Sequence, residues 1–149
     1  MKKTKILTLV LIMIFVSSSI LLAQDASDKA KTLTPKSDKS LVYVLRPSGI
    51  AFAVRFPVVV DGKAIATLGV RDFGFINLDP GKHTFKVVNG TSKATLLDLN
   101  TELGKVYYLI VEPKMSAVTA RGVLKPVKDG QGIKYLKKCG LADNNQEKL

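Results

Sequence analysis

The sequence predicts a mainly-β domain, an antiparallel β-sandwich of about seven or eight strands with one short C-terminal helix. Three observations lead there. From Leu41 onward, short runs rich in Val, Ile, Leu and Phe follow one another, as strands of a half-buried sheet require. Turn residues separate these runs at intervals of about eight to twelve residues, the spacing of sandwiches and barrels. Near the C-terminus the pattern changes: Ile133, Leu136 and Cys139 are spaced for one face of a helix.

The first run is Leu41-Val42-Tyr43-Val44-Leu45, stopped by Pro47. Phe56 to Val60 is the second, and Asp61-Gly62 follows it directly. Asp-Gly between two apolar runs marks a tight hairpin, because a type I′ turn needs positive φ at both central positions. Ala64 to Leu68 returns, and Gly69 to Asp72 turns the chain into Phe73–Leu78, where Gly74 suits a bulge or a close backbone approach. Asp79-Pro80-Gly81-Lys82 fits a type II turn, with Pro fixing φ and Gly supplying a positive φ. His83 to Val88 then runs to Asn89-Gly90, and Lys93–Leu99, Val106–Glu112 and Val118–Val127 supply three further strands. Asn89-Gly90-Thr91 also matches a glycosylation pattern, but a hairpin turn accounts for it. A helix over Gln131–Cys139, capped by Gly140, is expected to close one end or edge of the sheet.

The N-terminal part reads differently. Lys2, Lys3 and Lys5 precede an apolar stretch from Ile6 to Val16, and Ile20-Leu21-Leu22-Ala23 leads to Gln24. Residues 1–23 therefore have the three parts of an export signal cleaved after Ala23. The competing reading is a retained anchor, since Ile6–Leu22 reaches the short end of a membrane-spanning length. Residues 24–39 read as a polar flexible linker containing Pro35, residues 40–141 as the single β domain, and residues 142–149 as a polar tail. The expected location is periplasmic or extracellular.

Composition narrows the function. The net charge of +11 becomes +8 once Lys2, Lys3 and Lys5 are set aside, which suits contact with an anionic surface. Cys139 is the only cysteine and His83 the only histidine. No intramolecular disulfide and no close-spaced zinc ligand set is possible, so no metal site and no cofactor is expected. His83 shares strand parity with Phe85 and Val87, which places it at the rim of the core, and no nucleophile motif accompanies it. The tyrosines lie mostly in apolar strands, so base stacking and nucleic-acid binding are not expected. Cys139 reads as a small buried hydrophobe.

One constellation has binding chemistry. Arg46 closes the first strand, Arg55 precedes the second, and Arg71 lies in the turn after the third. If consecutive strands run up and down, all three fall at one end, where guanidiniums could hold a carboxylate or phosphate.

Leu41-Val42-Tyr43-Val44-Leu45-Arg46-Pro47, Val60-Asp61-Gly62-Lys63, Asn77-Leu78-Asp79-Pro80-Gly81-Lys82-His83-Thr84 and Tyr107-Tyr108-Leu109 resemble a bacterial domain-of-unknown-function family, number twenty-eight forty-six. The likeness runs from about Lys39 to Cys139. The hairpins are also similar to PEGA-type surface modules of bacterial envelopes. The resemblance implies a small β domain with a binding or structural role and brings no catalytic residues. The expected function is an exported, non-enzymatic cell-envelope module that binds an envelope protein, a glycan or an anionic membrane surface. The alternatives are an envelope assembly factor tethered by a retained N-terminal anchor, and an atypical hydrolase built from Arg, Asp and Tyr.

Overall fold

Ser40-Leu41-Val42-Tyr43-Val44-Leu45-Arg46 is buried at every position, so this strand has protein on both faces. A continuous apolar run is what such a strand needs, whereas a half-exposed strand would alternate with polar residues. The computed structural model describes residues 24–89, 92–116 and 119–147. The strands are β1 (Ser40–Arg46), β2 (Phe56–Val60), β3 (Lys63–Leu68), β4 (Asp72–Leu78), β5 (Gly81–Asn89), β6 (Ser92–Thr101), β7 (Val106–Met115), β8 (Ala120–Val127) and β9 (Gly140–Leu141). Helix α1 covers 24–31 and helix α2 is Asp129–Leu136. The domain is mainly β, with two sheets and a short helix near each terminus.

The first sheet has the order β8-β7-β1-β4-β9 and the second the order β3-β2-β5-β6. Val42 and Val44 of β1 join Phe56, Val58, Leu68, Phe85 and Val87 of the second sheet in one apolar cluster. Leu41, Tyr43 and Leu45 point the other way, into a second cluster with Ala30 of α1, Leu136 of α2 and Cys139. Burying each such large side chain contributes about 1.5–3 kcal/mol, so the central strand anchors both layers. Tyr43 stacks on Tyr108 at 5.5 Å and donates its hydroxyl to Ala30 O at 2.7 Å. Burial, then the neighbouring Tyr108, pushes the Tyr43 pKa up to about 12. Cys139 is buried as expected, and burial followed by the Asp72 charge pushes its thiol up to about 11.

All eight strands read from the sequence are present; Val118, the expected start of the eighth, lies outside the described residues, as do the export segment 1–23 and the Gly90-Thr91 pair. The Asp61-Gly62 turn has φ of 48° and 82°, both positive as a type I′ hairpin requires. A Cβ on Gly74 would lie 2.9 Å from the Ala66 Cβ, so that glycine serves close approach.

Several expectations are corrected. The sheets are not wholly antiparallel: β1 pairs with β7 in parallel, and β4 with β9 in parallel. The chain leaves the first sheet after β4, builds β5 and β6 in the second, and re-enters beside β1 in the same direction. Residues 24–31, expected within a linker, form α1. The C-terminal helix starts at Asp129 and ends at Leu136, and Lys137 rather than Gly140 is its C-cap. Gly140 N–H instead donates to Arg71 O at 2.8 Å, which draws it into β9. The helix covers a face of the first sheet, not an end or edge. Residues 142–147, expected as a tail, cover strand edges: Asn144 Oδ1 accepts from Thr67 N–H and Asn145 Oδ1 from Phe75 N–H, both at 2.9 Å. Gln146 N–H donates to Ile65 O at 2.8 Å. Unpaired edges invite foreign strands, and here β3 and β4 are both occupied.

Strand direction defines two ends. The upper end carries the 47–55 loop, the 69–71 turn, the β7–β8 hairpin tip and residues 137–139. The lower end carries the Asp61-Gly62 turn, the β4–β5 turn, and the 102–105 connection.

Candidate functional site

The three arginines do fall at the upper end, but they do not make one site. Arg46, whose Cα pairs with Asp72, is fully buried. Its Nη2 donates to Ile50 O at 2.9 Å and Ala51 O at 2.7 Å, and its Nη1 to Leu68 O at 3.2 Å and to Val54 O. The guanidinium carbon lies 4.8 Å from the Phe56 ring centre, a cation–π geometry. Burial, opposed by Asp72 and assisted by Arg55, lowers the Arg46 pKa; a guanidinium still keeps its proton. The candidate anion contact at Arg46 is therefore corrected: the side chain is fully buried, its Nη donors are committed to the chain's own carbonyls, and its Nε is buried without a partner.

What Arg46 does is fix the 47–55 loop. Five donors in a rigid fork suit several carbonyls that converge from one loop. Val54 N–H closes a turn onto Ala51 O at 3.0 Å, and Ile50 N–H meets the Ser48 hydroxyl at 3.1 Å. Ala51 has φ of +56°, a left-handed conformation that costs a residue with a Cβ roughly 1–2 kcal/mol. Such strain persists only where surrounding contacts over-determine it. The loop so held packs Val54 against the core and turns two large apolar side chains outward: Ile50 is 60% exposed and Phe52 is 82% exposed.

Cationic groups share this end of the domain with the loop. Arg55 is exposed, with Nη2 3.8 Å from Asp72 Oδ2, and Asp72 also accepts from Gly69 N–H at 2.7 Å. Arg71 is exposed and has φ of +55°. The β7–β8 hairpin tip adds a cleft of about 300 Å³ lined by Lys93, Lys114, Met115, Ser116, Thr119 and Arg121. Lys114 and Arg121 are direct cross-strand partners, an arrangement of like charges that disfavours the isolated pair. Glu112 relieves it in part, 3.3 Å from Lys114 Nζ and also paired with Lys125; those lysines, Lys125 first, hold the Glu112 pKa down. Met115 at this tip is 62% exposed.

The lower end is chemically different. A cleft of about 400 Å³ there includes Lys39, Asp61, Asp79 and His83 in its lining. His83 Nδ1 lies 2.6 Å from Asp61 Oδ2, and Nε2 lies 2.7 Å from Asp79 O. Asp61 also accepts Thr84 N–H at 2.9 Å, and Lys39 Nζ is 2.6 Å from Asp79 Oδ1. Both ring nitrogens meet acceptors, so the doubly protonated imidazolium satisfies this geometry best. The ring ties two turns together, in keeping with a structural histidine at the rim. Among the described residues no group of three or more His, Cys, Asp or Glu could hold a metal ion.

This tie has a pH dependence. Burial opposes the imidazolium, but Asp61 and Asp79 outweigh it and raise the His83 pKa. The contribution of His83 is complete below its unfolded value of about 6.5 and is lost as pH rises through the folded pKa. Asp61 works in the opposite sense: His83, then Thr84 N–H, lowers its pKa, so its contribution is present above about 3.9 and fades as pH falls through the folded value. Urea unfolding is expected to show a loss of about 1 kcal/mol between pH 6 and pH 9. His83→Gln should abolish that slope; an unchanged slope in the variant would remove His83 as its source.

Sequence reasoning located Arg55 and Arg71 correctly at one end but missed Ile50, Phe52, Met115, Lys114 and Arg121. A readable signal existed for the loop: Ile50-Ala51-Phe52-Ala53-Val54 is apolar, yet it follows Pro47-Ser48-Gly49 and runs into Arg55 without alternation. No helix among the described residues is long and apolar enough to cross a membrane. No protein-family model matches the chain, and no curated protein matches it.

Proposed function

We propose that this chain is an exported, non-enzymatic envelope module that recognises its partner through the upper end of a two-layer β-sandwich. The observation that carries this reading is the 47–55 loop, in which the two Nη groups of a fully buried arginine donate to the Ile50, Ala51 and Val54 carbonyls while Ile50 and Phe52 stand in solvent. Exposed apolar side chains on a fixed scaffold are a recurrent sign of a binding surface. Burying Arg46 solely to stabilise the fold is a poor use of a charged group, since a well-packed apolar residue would often serve as well. Fixing one loop conformation is a better reason. The resemblance to envelope β modules and the apolar N-terminal stretch agree with an exported location.

The test compares the two ends in living cells. A photo-crosslinking residue is placed at Phe52, and in a second variant at Leu103, which is 59% exposed beside the lower end. Adducts from position 52 are expected to exceed those from position 103 by about tenfold, a difference in contact worth about 1.4 kcal/mol. Equal adducts, or adducts from position 103 alone, would end the proposal.

A further inference from the structure

We infer that the upper end docks on an anionic phospholipid surface, with Ile50 and Phe52 entering the interface and Arg55, Arg71 and Arg121 meeting the headgroups. This rests on the recognition-end reading above and names the partner of that same site.

The shape of the apolar surface favours a bilayer over a protein. A stable protein interface buries about 800 Å² on each partner around a packed centre. Here two side chains project from a loop tip, with Met115 on a separate hairpin tip. Projecting aliphatic and aromatic side chains flanked by cations are what a shallow lipid contact uses, because insertion and headgroup attraction add.

Acidic groups are more numerous towards the lower end, where lysines such as Lys39 and Lys82 pair with them. The carboxylates Asp61, Asp79, Asp98 and Glu102 lie towards the lower end. At the upper end Asp72 is engaged by Gly69 N–H and Arg55, and on α1 Asp25 and Asp28 pair with Lys29 and Lys31. Asp143 is the remaining exposed acid close to the β4–β9 pairing. Glu112, below the β7–β8 tip, is engaged by Lys114 and Lys125, so an anionic plane approaching from above meets Arg55, Arg71 and Arg121 with most nearby acids already paired.

The path of the chain points the same way. Ser27 Oγ accepts Leu141 N–H at 3.1 Å, and Leu141 pairs with Phe73 at the upper end of β4. Residue 24 therefore joins the domain at this end, so that under the retained-anchor reading the apolar Ile6–Leu22 stretch of the sequence would lead to the same surface. Finally, Arg46 fixes the loop before contact, so little ordering is left for the binding step.

The sequence contains no tryptophan, so Phe52→Trp gives the full chain a single reporter, and Leu103→Trp gives its counterpart near the lower end. Each is titrated with vesicles of phosphatidylcholine alone and of phosphatidylcholine with phosphatidylglycerol, some carrying brominated acyl chains. The Phe52→Trp reporter is expected to shift to the blue and be quenched on phosphatidylglycerol vesicles, while the Leu103→Trp reporter stays aqueous. Adding Arg71→Glu and Arg121→Glu should weaken that partition by roughly 30-fold or more, as expected for two cations at an anionic surface. A Phe52→Trp reporter that stays aqueous overturns the inference, as do equal quenching of both reporters and indifference to the charge reversals. If vesicles fail while the Phe52 crosslinker captures an envelope protein, the lipid assignment falls and the recognition end stands; if position 103 captures instead, both fall.

Discussion

Replacing Arg46 with alanine is expected to destabilise the domain by about 4 kcal/mol, a large fraction of the 5–15 kcal/mol that a small domain has. The carbonyls of Ile50, Ala51, Val54 and Leu68 lose their donor together, and unmet buried acceptors cost about 1–3 kcal/mol each unless water reaches them. The Phe56 ring also loses the guanidinium packed on its face. Losing the desolvation cost of a buried cation offsets part of this, which keeps the total well below the sum. Arg46→Lys should fall between, because an ammonium can meet one or two of these carbonyls but cannot match the planar fork. Urea unfolding gives the ranking directly, and an Arg46→Ala loss below about 1 kcal/mol would show that the loop holds itself. In Arg46→Lys, amide exchange should quicken within 47–55 more than in the central strands, since the loop is the part the side chain organises.

Gly132→Ala is the second large effect, and its sign is opposite to the usual one. Glycine to alanine inside a helix normally gains up to about 1 kcal/mol. At Gly132 the new Cβ would lie 2.2 Å from the Tyr108 ring, and Tyr108 is itself stacked on Tyr43. Neither ring can retreat without disturbing Phe73, whose ring packs edge-on against Tyr43 at 6.1 Å. Overpacking of this kind costs typically 1–3 kcal/mol, occasionally more, so a net loss of about 2 kcal/mol is expected. Gly130 lies in the same helix with nothing within 4 Å of its would-be Cβ. Gly130→Ala should therefore be neutral or gain about 0.5 kcal/mol. Melting curves of the two variants settle whether α2 sits as close to the sheet as described; equal shifts of the same sign would contradict it.

The strands were legible because their signals are local. Asp61-Gly62 and the alternating apolar runs fix turns and faces within a few residues, whatever the rest of the chain does. Parallel pairing of β1 with β7 was not legible, since it joins Leu41–Leu45 to residues 106–110 through the whole second sheet. The unbroken burial of β1 is its only local trace: Leu41–Leu45 is apolar throughout. Helix α1 has no apolar stripe, because its contact with the sheet is made by small residues, Ser27 and Ala30, and by the Tyr43 hydroxyl. A two-residue strand such as β9 carries no pattern at all. The arginine cluster was half legible. Sequence order put Arg46, Arg55 and Arg71 at one end, but an arginine at a strand terminus normally ends in solvent. Only the fold shows the 47–55 loop closing over it.

The functional claim is that the upper end meets the partner while the Asp61–His83 end is structural. Hydrogen exchange of the full chain, with and without isolated envelope membranes, separates the two ends in one measurement. Slower exchange is expected at 48–54 and 119–121, with no change at 61–63 and 79–83. Protection confined to 61–63 and 79–83 would contradict that division of roles.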